Sequence, residues 1–277
     1  MSYDRDMSIV GAVPTSFTKF ISSHPPREAG SFPQRECGEL PKDTFVTSDF
    51  TLNQSDRRRA RKLASQITLA AGSADAKDVE AVLDSLSSIP PETFSFLKEK
   101  KVRILVGRDN VTDVAPELKE VRPRNWDEDS TYEKIPGIFD LKRNAVILTV
   151  EGYDSPEGPT LGTRHGSSDL AVHEVYHAVE QHSPGVFQPG SEFSEAYAGA
   201  RPSLDPYEQH EGGGMEEAFA ESAARYLSGT PQPEELDSYW DDNMKPSSPG
   251  LMGIARQGLI AATPGGTLTA FLASQKF

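Results

Sequence analysis

The sequence predicts an α+β fold, in which three helices precede a small group of strands and further helices follow. This prediction rests on the period of the apolar residues, which is helical in some stretches and strand-like in others. Helical periods occur at 54–71, 74–86, 91–98, 170–179 and 215–227. Compact apolar runs with the character of strands occur at 101–107, 135–140 and 145–150. The last two runs are separated by a short polar turn and therefore predict a hairpin.

The first three helices make up a predicted helical segment over residues 51–100. Ser55 or Asp56 can cap the first helix, because a side-chain oxygen at this position accepts a backbone N–H of the first turn. Pro91 suits the first turn of the third helix, where a missing N–H costs nothing. The apolar run that follows ends at Gly107 and predicts a buried strand.

Two longer stretches have no sustained period. Residues 108–134 are predicted to be irregular, with a short helical turn before Pro116. Residues 184–214 are also predicted to be irregular, and such a stretch inside a compact domain is usually functional. We therefore expect their aromatic residues to form one wall of a substrate cleft: Phe187, Phe193, Tyr197 and Tyr207. Further helices are predicted at 234–244, 249–262 and 267–274.

Length and composition indicate one large globular domain with a flexible start. The chain has 277 residues, of which 36% are hydrophobic and 25% charged, and a chain of this size can bury a sizeable core. Residues 1–50 are rich in proline and small polar residues and are predicted to be flexible or disordered. The domain is expected to cover 51–277, with its catalytic part at 101–277. Cys37 is the only cysteine, so no disulfide can form within one chain.

Charge is distributed unevenly along the chain. The net charge is −14, and residues 151–245 contain 19 acidic but only 4 basic side chains, whereas residues 51–107 contain 10 basic and 7 acidic ones. Such an acidic surface repels nucleic acid and attracts cationic partners. A basic run at 57–62 is therefore interpreted as a solvated or salt-bridged helix face, and no nucleic-acid partner is expected.

The most informative motif is His173-Glu174-Val175-Tyr176-His177. On a helix, residues four apart lie on the same face, so both imidazoles can reach one ion. The glutamate projects beside that ion, where its carboxylate is free to take a proton from a water molecule. Helix caps support this interpretation, because Ser167, Ser168 and Asp169 offer capping oxygens before the motif and 183–185 can end the helix.

A third metal ligand must come from elsewhere in the chain. Continuation of the helix in the metzincin manner would require glycine at 180 and histidine at 183, and these positions are Glu180 and Ser183. The alternative is a glutamate from a second helix. The helix predicted at 215–227 carries Glu217 and Glu221 on a face that is otherwise lined by alanine, and either could serve.

The two helices resemble a known family of zinc metallopeptidases. The segment from His173 to Val179, followed about forty residues later by Glu217-Ala218-Phe219-Ala220-Glu221-Ser222, resembles the anthrax lethal factor peptidase domain and the bacterial Pro-Pro endopeptidases. The resemblance covers roughly residues 100–277 and is specific at these two helices. It implies a zincin-like domain with a small mixed sheet, a metal-binding helix and a second, glutamate-bearing helix of the gluzincin type.

The resemblance also assigns roles to individual residues. It implies that His173, His177 and Glu217 bind Zn²⁺, that Glu221 supports the site from outside, and that Glu174 is the catalytic base. Family members place a tyrosine seven positions before the ligand glutamate, where its hydroxyl stabilises the oxyanion. Here that position is His210, and Tyr207 lies one helical turn away, so the donor is one of these two. The family spacing favours His210, and we expect its loss to be the more damaging.

In this family the strand before the metal-binding helix pairs with the backbone of an extended peptide substrate. Together with the acidic charge, this implies a zinc endopeptidase that acts on basic, extended segments of a protein, and a monomer is expected. The polar first residues are typical of bacterial toxins or effectors that are secreted or injected into host cells. The sequence shows no secretory signal and no transmembrane run, so it does not distinguish these routes from a cytoplasmic location.

Three other functions fit parts of the sequence. A zinc amidase such as a deformylase would use a cysteine ligand, and Cys37 lies in the segment predicted to be flexible. A catalytically silent binding module with the same fold would show a broken motif, whereas every motif residue is present. A nucleic-acid binder rests on the basic run alone. His24 and His165 are interpreted as ordinary polar residues.

Overall fold

The computed structural model describes residues 45–122, 131–162 and 165–244. Residues 1–44 of the predicted flexible segment, Cys37 and His24 among them, lie outside the described residues, as do the helices predicted at 249–262 and 267–274. The division of the chain at residue 50 therefore stays a prediction.

The described residues form seven helices and seven strands. In chain order these elements are β1 (Phe45–Val46), α1 (Gln54–Ala64), β2 (Thr68–Ala70), α2 (Ala76–Leu86), α3 (Pro91–Glu99), β3 (Arg103–Arg108), β4 (Gly137–Asp140), β5 (Ala145–Glu151), β6 (Thr160–Leu161), α4 (Leu170–Gln181), α5 (Glu192–Ala200), α6 (Gly214–Ser228), β7 (Gln232–Pro233) and α7 (Glu234–Met244). Short 3-10 turns connect some of them, and one at Val111–Asp113 is the helical turn predicted before Pro116.

The main sheet is mixed, as the family resemblance implied. Its strands lie in the order β2, β3, β5, β4, and the first three are parallel. β4 pairs antiparallel with β5 as the far arm of the predicted hairpin, and β6 pairs with the end of β5. Among the described residues the outer side of β4 has no paired strand, so β4 is an edge strand. The α+β fold class is therefore confirmed.

The first predicted helix is shorter than the apolar pattern suggested. It ends at Ala64, and three of the residues assigned to its end form β2 instead. The backbone explains this, since Ile67 accepts a hydrogen bond from Ile104 and Ala71 donates one to Val106. Pairing with a buried strand thus overrides the local helical pattern. The cap is Asn53, whose side chain accepts from the Asp56 backbone, and not Ser55 or Asp56.

The prediction of an irregular aromatic wall at 184–214 was wrong for Glu192–Ala200 and for three of the four aromatic residues. This stretch contains α5, which Ser191 caps by accepting from the Ser194 backbone. Phe193 and Tyr197 of α5 are buried in the core, and the ring of Phe193 lies 4.9 Å from that of Phe219. Phe187 packs against the same cluster. These rings stabilise α6 from behind, and Tyr207 alone of the four lines the cleft described below.

The basic run at 57–62, which lies on α1, faces the two following helices. Arg61 forms salt bridges with Glu80 and Asp84 of α2, and Arg59 pairs with Glu92 of α3 at 2.8 Å. All of these side chains are at least a third exposed. The run therefore links neighbouring helices, which agrees with its interpretation as a salt-bridged face.

The helix pair α4 and α6 is largely buried among the described elements. Nine of the twelve residues of α4 are buried, which is expected of a helix enclosed by other elements. Tyr176 of α4 packs edge-on against Trp240 of α7 and lies against Phe219 of α6. Ala220 and Ala224 are fully buried on α6, and small side chains of this kind allow helices to approach closely. Gly229, in the left-handed conformation, ends α6.

Within the described parts of the chain, no helix is both long and apolar enough to cross a membrane.

Candidate metal centre and active site

The two histidines of the sequence motif converge as predicted. Asp169 caps α4 by accepting a hydrogen bond from the Val172 backbone at 3.1 Å, and this fixes where the helix starts. His173 and His177 then lie one turn apart, with their Nε2 atoms 3.0 Å from each other. The two imidazole nitrogens face a common point, which is the geometry of a pair of metal ligands.

Glu217 of α6 completes the group. Its Oε2 lies 3.5 Å from the Nε2 of His173 and 3.6 Å from that of His177. Around a tetrahedral ion with bonds of about 2.0–2.1 Å, neighbouring ligand atoms are about 3.3 Å apart, so these three distances fit such an ion. Burial raises the pKa of the Glu217 carboxyl, but the two imidazoles oppose this and hold that pKa well below its usual range.

A carboxylate lies behind each histidine. Glu221 approaches the Nδ1 of His173 at 3.2 Å and also accepts hydrogen bonds from the backbone and the hydroxyl of Ser168. Glu180 lies 3.7 Å from the Nδ1 of His177. Such partners orient an imidazole and leave its Nε2 lone pair free for an ion. The position of Glu221 is the supporting one that was expected. The sequence analysis did not identify Glu180 as a supporting residue. Its spacing of three from His177, which places it on the same helix face, is the signal that could have found it.

Glu174 lies beside the three-ligand group. It is buried, and its Oε1 is 3.3 Å from the Nε2 of His165. Gly137 of β4 lies directly against it: a Cβ at this position would be 2.9 Å from the Glu174 Cγ and 2.7 Å from the Leu170 Cδ1. Glycine therefore allows the backbone of the edge strand to approach the carboxylate that the sequence predicted as the base.

The interpretation of His165 as an ordinary polar residue was wrong. Its ring lies 4.7 Å from that of His173, and burial lowers its pKa despite the nearby Glu174. His165, His173 and Glu174 form a second group with metal-ligand spacing. The group of His173, His177 and Glu217 is the better candidate, because both of its histidines have a carboxylate behind them. No sequence spacing indicated His165, which reaches the site from a loop.

The two candidate oxyanion donors differ in position. The Tyr207 hydroxyl lies 3.3 Å from the Glu217 Oε1 and lines the cleft. His210 is exposed and is not among the described residues that line the cleft. The geometry therefore favours Tyr207 and reverses the order expected from the family spacing. The loop from 204 to 213 is not helical, so a spacing that holds on a helix does not transfer to it.

These residues line a cleft of about 550 Å³. One side is the edge strand β4, which contributes Gly137, Ile138 and Phe139. The remainder is strongly acidic, with seven carboxylates: Glu174, Glu180, Asp205, Glu208, Glu216, Glu217 and Glu221. Arg225 is the only lysine or arginine among the described lining residues. A cleft with this lining can hold a divalent cation and an extended chain beside it.

A mixed sheet with an open edge, a His-Glu-x-x-His helix and a second helix bearing glutamate together place this chain in the class of α+β proteins with a zincin-like fold. The family model described as "Anthrax toxin lethal factor, N- and C-terminal domain" matches residues 54–239. This chain belongs to that family. The match begins well before residue 100, so it also includes the helical segment α1–α3.

Two further comparisons found similarity to Pro-Pro endopeptidases. The Pro-Pro endopeptidase of Paenibacillus alvei (strain ATCC 6344) is 29% identical over 119 residues, which is 42% of this chain and 50% of that protein. The chain thus spans about half the length of this curated relative. A solved structure of a Pro-Pro endopeptidase from Paenibacillus alvei covers 70% of this chain and 98% of its own, with 22% identity and a TM-score of 0.46.

Proposed function

We propose that this chain is a zinc-dependent endopeptidase. The observation that carries the proposal is the convergence of the Nε2 atoms of His173 and His177 with the Glu217 carboxylate, at distances that suit a tetrahedral ion. Nitrogen and carboxylate donors in this number are those of catalytic zinc sites. When bound, zinc would supply Lewis acidity and a lowered pKa for a water molecule.

The surrounding residues have separate roles in the proposed reaction. Glu174 accepts a proton from the attacking water and passes it to the leaving amine, because its carboxylate lies beside the ligand group and takes no part in it. His165 orients that carboxylate through the 3.3 Å contact. Tyr207 donates a hydrogen bond to the oxygen on which negative charge develops, and such a donor acts mainly on the transition state. Glu180 and Glu221 hold the histidine ligands in place.

The proposed substrate is an extended segment of another protein. The free edge of β4 offers backbone groups to a peptide strand, the strand-addition mode of recognition. Pro-Pro bonds, which the name of the Paenibacillus alvei relative specifies, are the first bonds to test. Basic residues near the cleaved bond are favoured by the seven carboxylates of the cleft. A toxin or effector role stays a prediction.

A peptide-library experiment tests the proposal. Purified full-length chain is incubated with a library that contains Pro-Pro bonds and basic segments, with and without a chelator, and the cleaved bonds are identified by mass spectrometry. We expect cleavage that stops with the chelator and returns when zinc is added. Cleavage that continues unchanged in the chelator would exclude the metal mechanism. Absence of any cleavage by zinc-loaded protein would instead favour the binding-module alternative.

Tyr207→Phe is expected to reduce kcat by about 10²- to 10³-fold, as loss of one oxyanion donor does. The ring remains, so the metal content and the melting temperature should match those of the original chain. His210→Phe is the control, and it should have little effect because His210 is exposed and away from the cleft lining. If His210→Phe proves the more damaging change, His210 is the donor after all.

Salt is expected to slow cleavage of a basic peptide more than cleavage of a neutral analogue. Charges on the cleft attract a cationic peptide, and salt screens this attraction beyond about 8 Å at physiological ionic strength. The measurement is kcat/KM for the two peptides as salt rises from low to moderate concentration. Equal rates for acidic and basic peptides at low salt would show that the acidic surface does not select the substrate.

A further inference from the structure

We propose that Arg225 is a positioning residue. It holds the metal-binding side chains and the loop at 204–213, which carries Tyr207, in fixed positions relative to each other. This proposal rests on the proposed function. It starts from the arrangement of α6, on which Glu217, Glu221 and Arg225 follow one another at intervals of four and so lie on one face. The candidate ligand, the carboxylate behind His173 and a guanidinium therefore form one stripe beside the cleft.

The guanidinium connects two carboxylates that belong to different parts of the site. Its Nε lies 3.4 Å from the Oε1 of Glu221, and its Nη2 lies 3.0 Å from the Oε2 of Glu208. The side chains of Glu208 and Glu221 are 4% and 11% exposed, so neither is well solvated. Arginine is suited to this task, since its planar fork of donors can bind two acceptors at once in fixed directions.

The contact between Arg225 and Glu221 acts on the metal ligands. The Oε1 of Glu221 faces Arg225 and accepts from Ser168, which leaves its Oε2 to approach the Nδ1 of His173 at 3.2 Å. Partners behind a metal-binding histidine commonly change metal affinity when they are lost. Arg225 fixes which oxygen of Glu221 faces the histidine and thereby acts on the metal centre without touching it.

The contact between Arg225 and Glu208 acts on Tyr207. Its neighbour Glu208 is one of the points at which the loop from 204 to 213 is attached to the helices. Besides the bond to Arg225, the Glu208 backbone oxygen accepts from the Tyr197 hydroxyl at 2.8 Å, and a Cβ at Gly214 would collide with this oxygen. Since the Tyr207 hydroxyl lies 3.3 Å from Glu217, a shift of Glu208 would move the proposed donor away from the reacting atoms.

Arg225→Met tests the whole arrangement, with Arg108→Met as the matched control. Arg108 also bridges two carboxylates, Asp75 and Asp78, and its side chain is similarly buried. It lies at the end of β3, joins this strand to the start of α2, and is not among the described residues that line the cleft. We expect Arg225→Met to bind zinc about 10- to 100-fold more weakly and to lose kcat, whereas Arg108→Met keeps both. Arg225→Lys, which restores the charge but not the fork, should recover zinc affinity only in part.

Glu221→Gln tests the effect of Arg225 on the metal ligands, and Glu208→Gln tests its effect on Tyr207. Both variants remain informative if Arg225→Met does not fold. We expect Glu221→Gln to weaken zinc binding, and Glu208→Gln to lower kcat about tenfold while zinc affinity is unchanged, as a misplaced donor predicts. In the Tyr207→Phe background Glu208→Gln should add little, because the donor that it positions is already absent. A merely structural role for Glu208 would lower kcat equally in both backgrounds.

Two results would overturn the proposal: zinc affinity and kcat of Arg225→Met equal to those of Arg108→Met, or a Glu208→Gln effect on kcat that is fully additive with Tyr207→Phe. Zinc affinity is measured by competition with a chromogenic chelator and needs no substrate. Failure of the original chain to cleave any peptide would therefore count against the proposed function, while the affinities of the Arg225 and Arg108 variants would still decide whether Arg225 supports the metal centre.

Discussion

Glu174→Gln is expected to retain zinc and the fold but to lose peptide hydrolysis by roughly 10²- to 10⁴-fold, the usual contribution of a general base. The amide is nearly the same size as the carboxylate and should fit against Gly137 and His165 without rearrangement. It cannot accept the proton of the attacking water, however. Zinc content, the melting temperature and kcat/KM on the best library peptide are the three measurements.

The control for this change is Glu195→Gln, since Glu195 is an exposed glutamate on α5. It should behave like the original chain in all three measurements. Near-normal turnover by Glu174→Gln would remove the proposed hydrolytic mechanism. Loss of zinc from Glu174→Gln would instead indicate that the ion binds to the alternative group of His165, His173 and Glu174.

Glu217→Ala is expected to purify without stoichiometric zinc, because it removes one of three ligands whose donor atoms surround one point. Hydrolysis should be lost with the metal. Glu221→Ala removes only the partner of His173 and should weaken zinc binding by about 10- to 100-fold. Elemental analysis of protein purified without chelator, followed by chelator competition, measures both variants.

The order of these two effects is the critical result. If Glu217→Ala keeps full zinc while Glu221→Ala loses it, the roles of the two glutamates must be exchanged. Glu216→Ala is a suitable control, because Glu216 lines the same cleft from the same helix turn but is not part of either group with metal-ligand spacing. Its zinc content should be unchanged.

The features that the sequence predicted are those with a strong local pattern. The motif at 173–177 lies on a capped helix, the hairpin occurs where two apolar runs flank a turn, and Glu217 faces both histidines. Each depends on a local side-chain period of two or four residues, and this period does not depend on tertiary contacts with the rest of the chain. The prediction of where α1 ends was wrong for the opposite reason, because a tertiary contact determines the structure there. Residues 68–70 carry a helical pattern, but the paired residues of β3, 36 positions further along the chain, belong to the strand that supplies their hydrogen-bond partners.

The residues that were missed owe their positions to tertiary contacts. His165 reaches Glu174 from a loop, and no spacing predicts where a loop side chain will point. Gly137 matters only because Glu174 lies against it. Tyr207 was preferred over His210 only after the non-helical path of its loop was known. Arg225 is an intermediate case, since its place on the stripe with Glu217 and Glu221 is visible in the sequence, whereas its partner Glu208 is not.

The contact between Gly137 and Glu174 has a consequence for the fidelity of cleavage. A peptide strand added to β4 is held by backbone hydrogen bonds, and a slip of one residue would exchange every side chain between its two faces. Because Gly137 lets the strand backbone touch the base, the position of proton transfer is fixed along that strand. The proposed enzyme should therefore cut each bound segment at a single bond and release products with uniform ends, not a ladder of overlapping fragments.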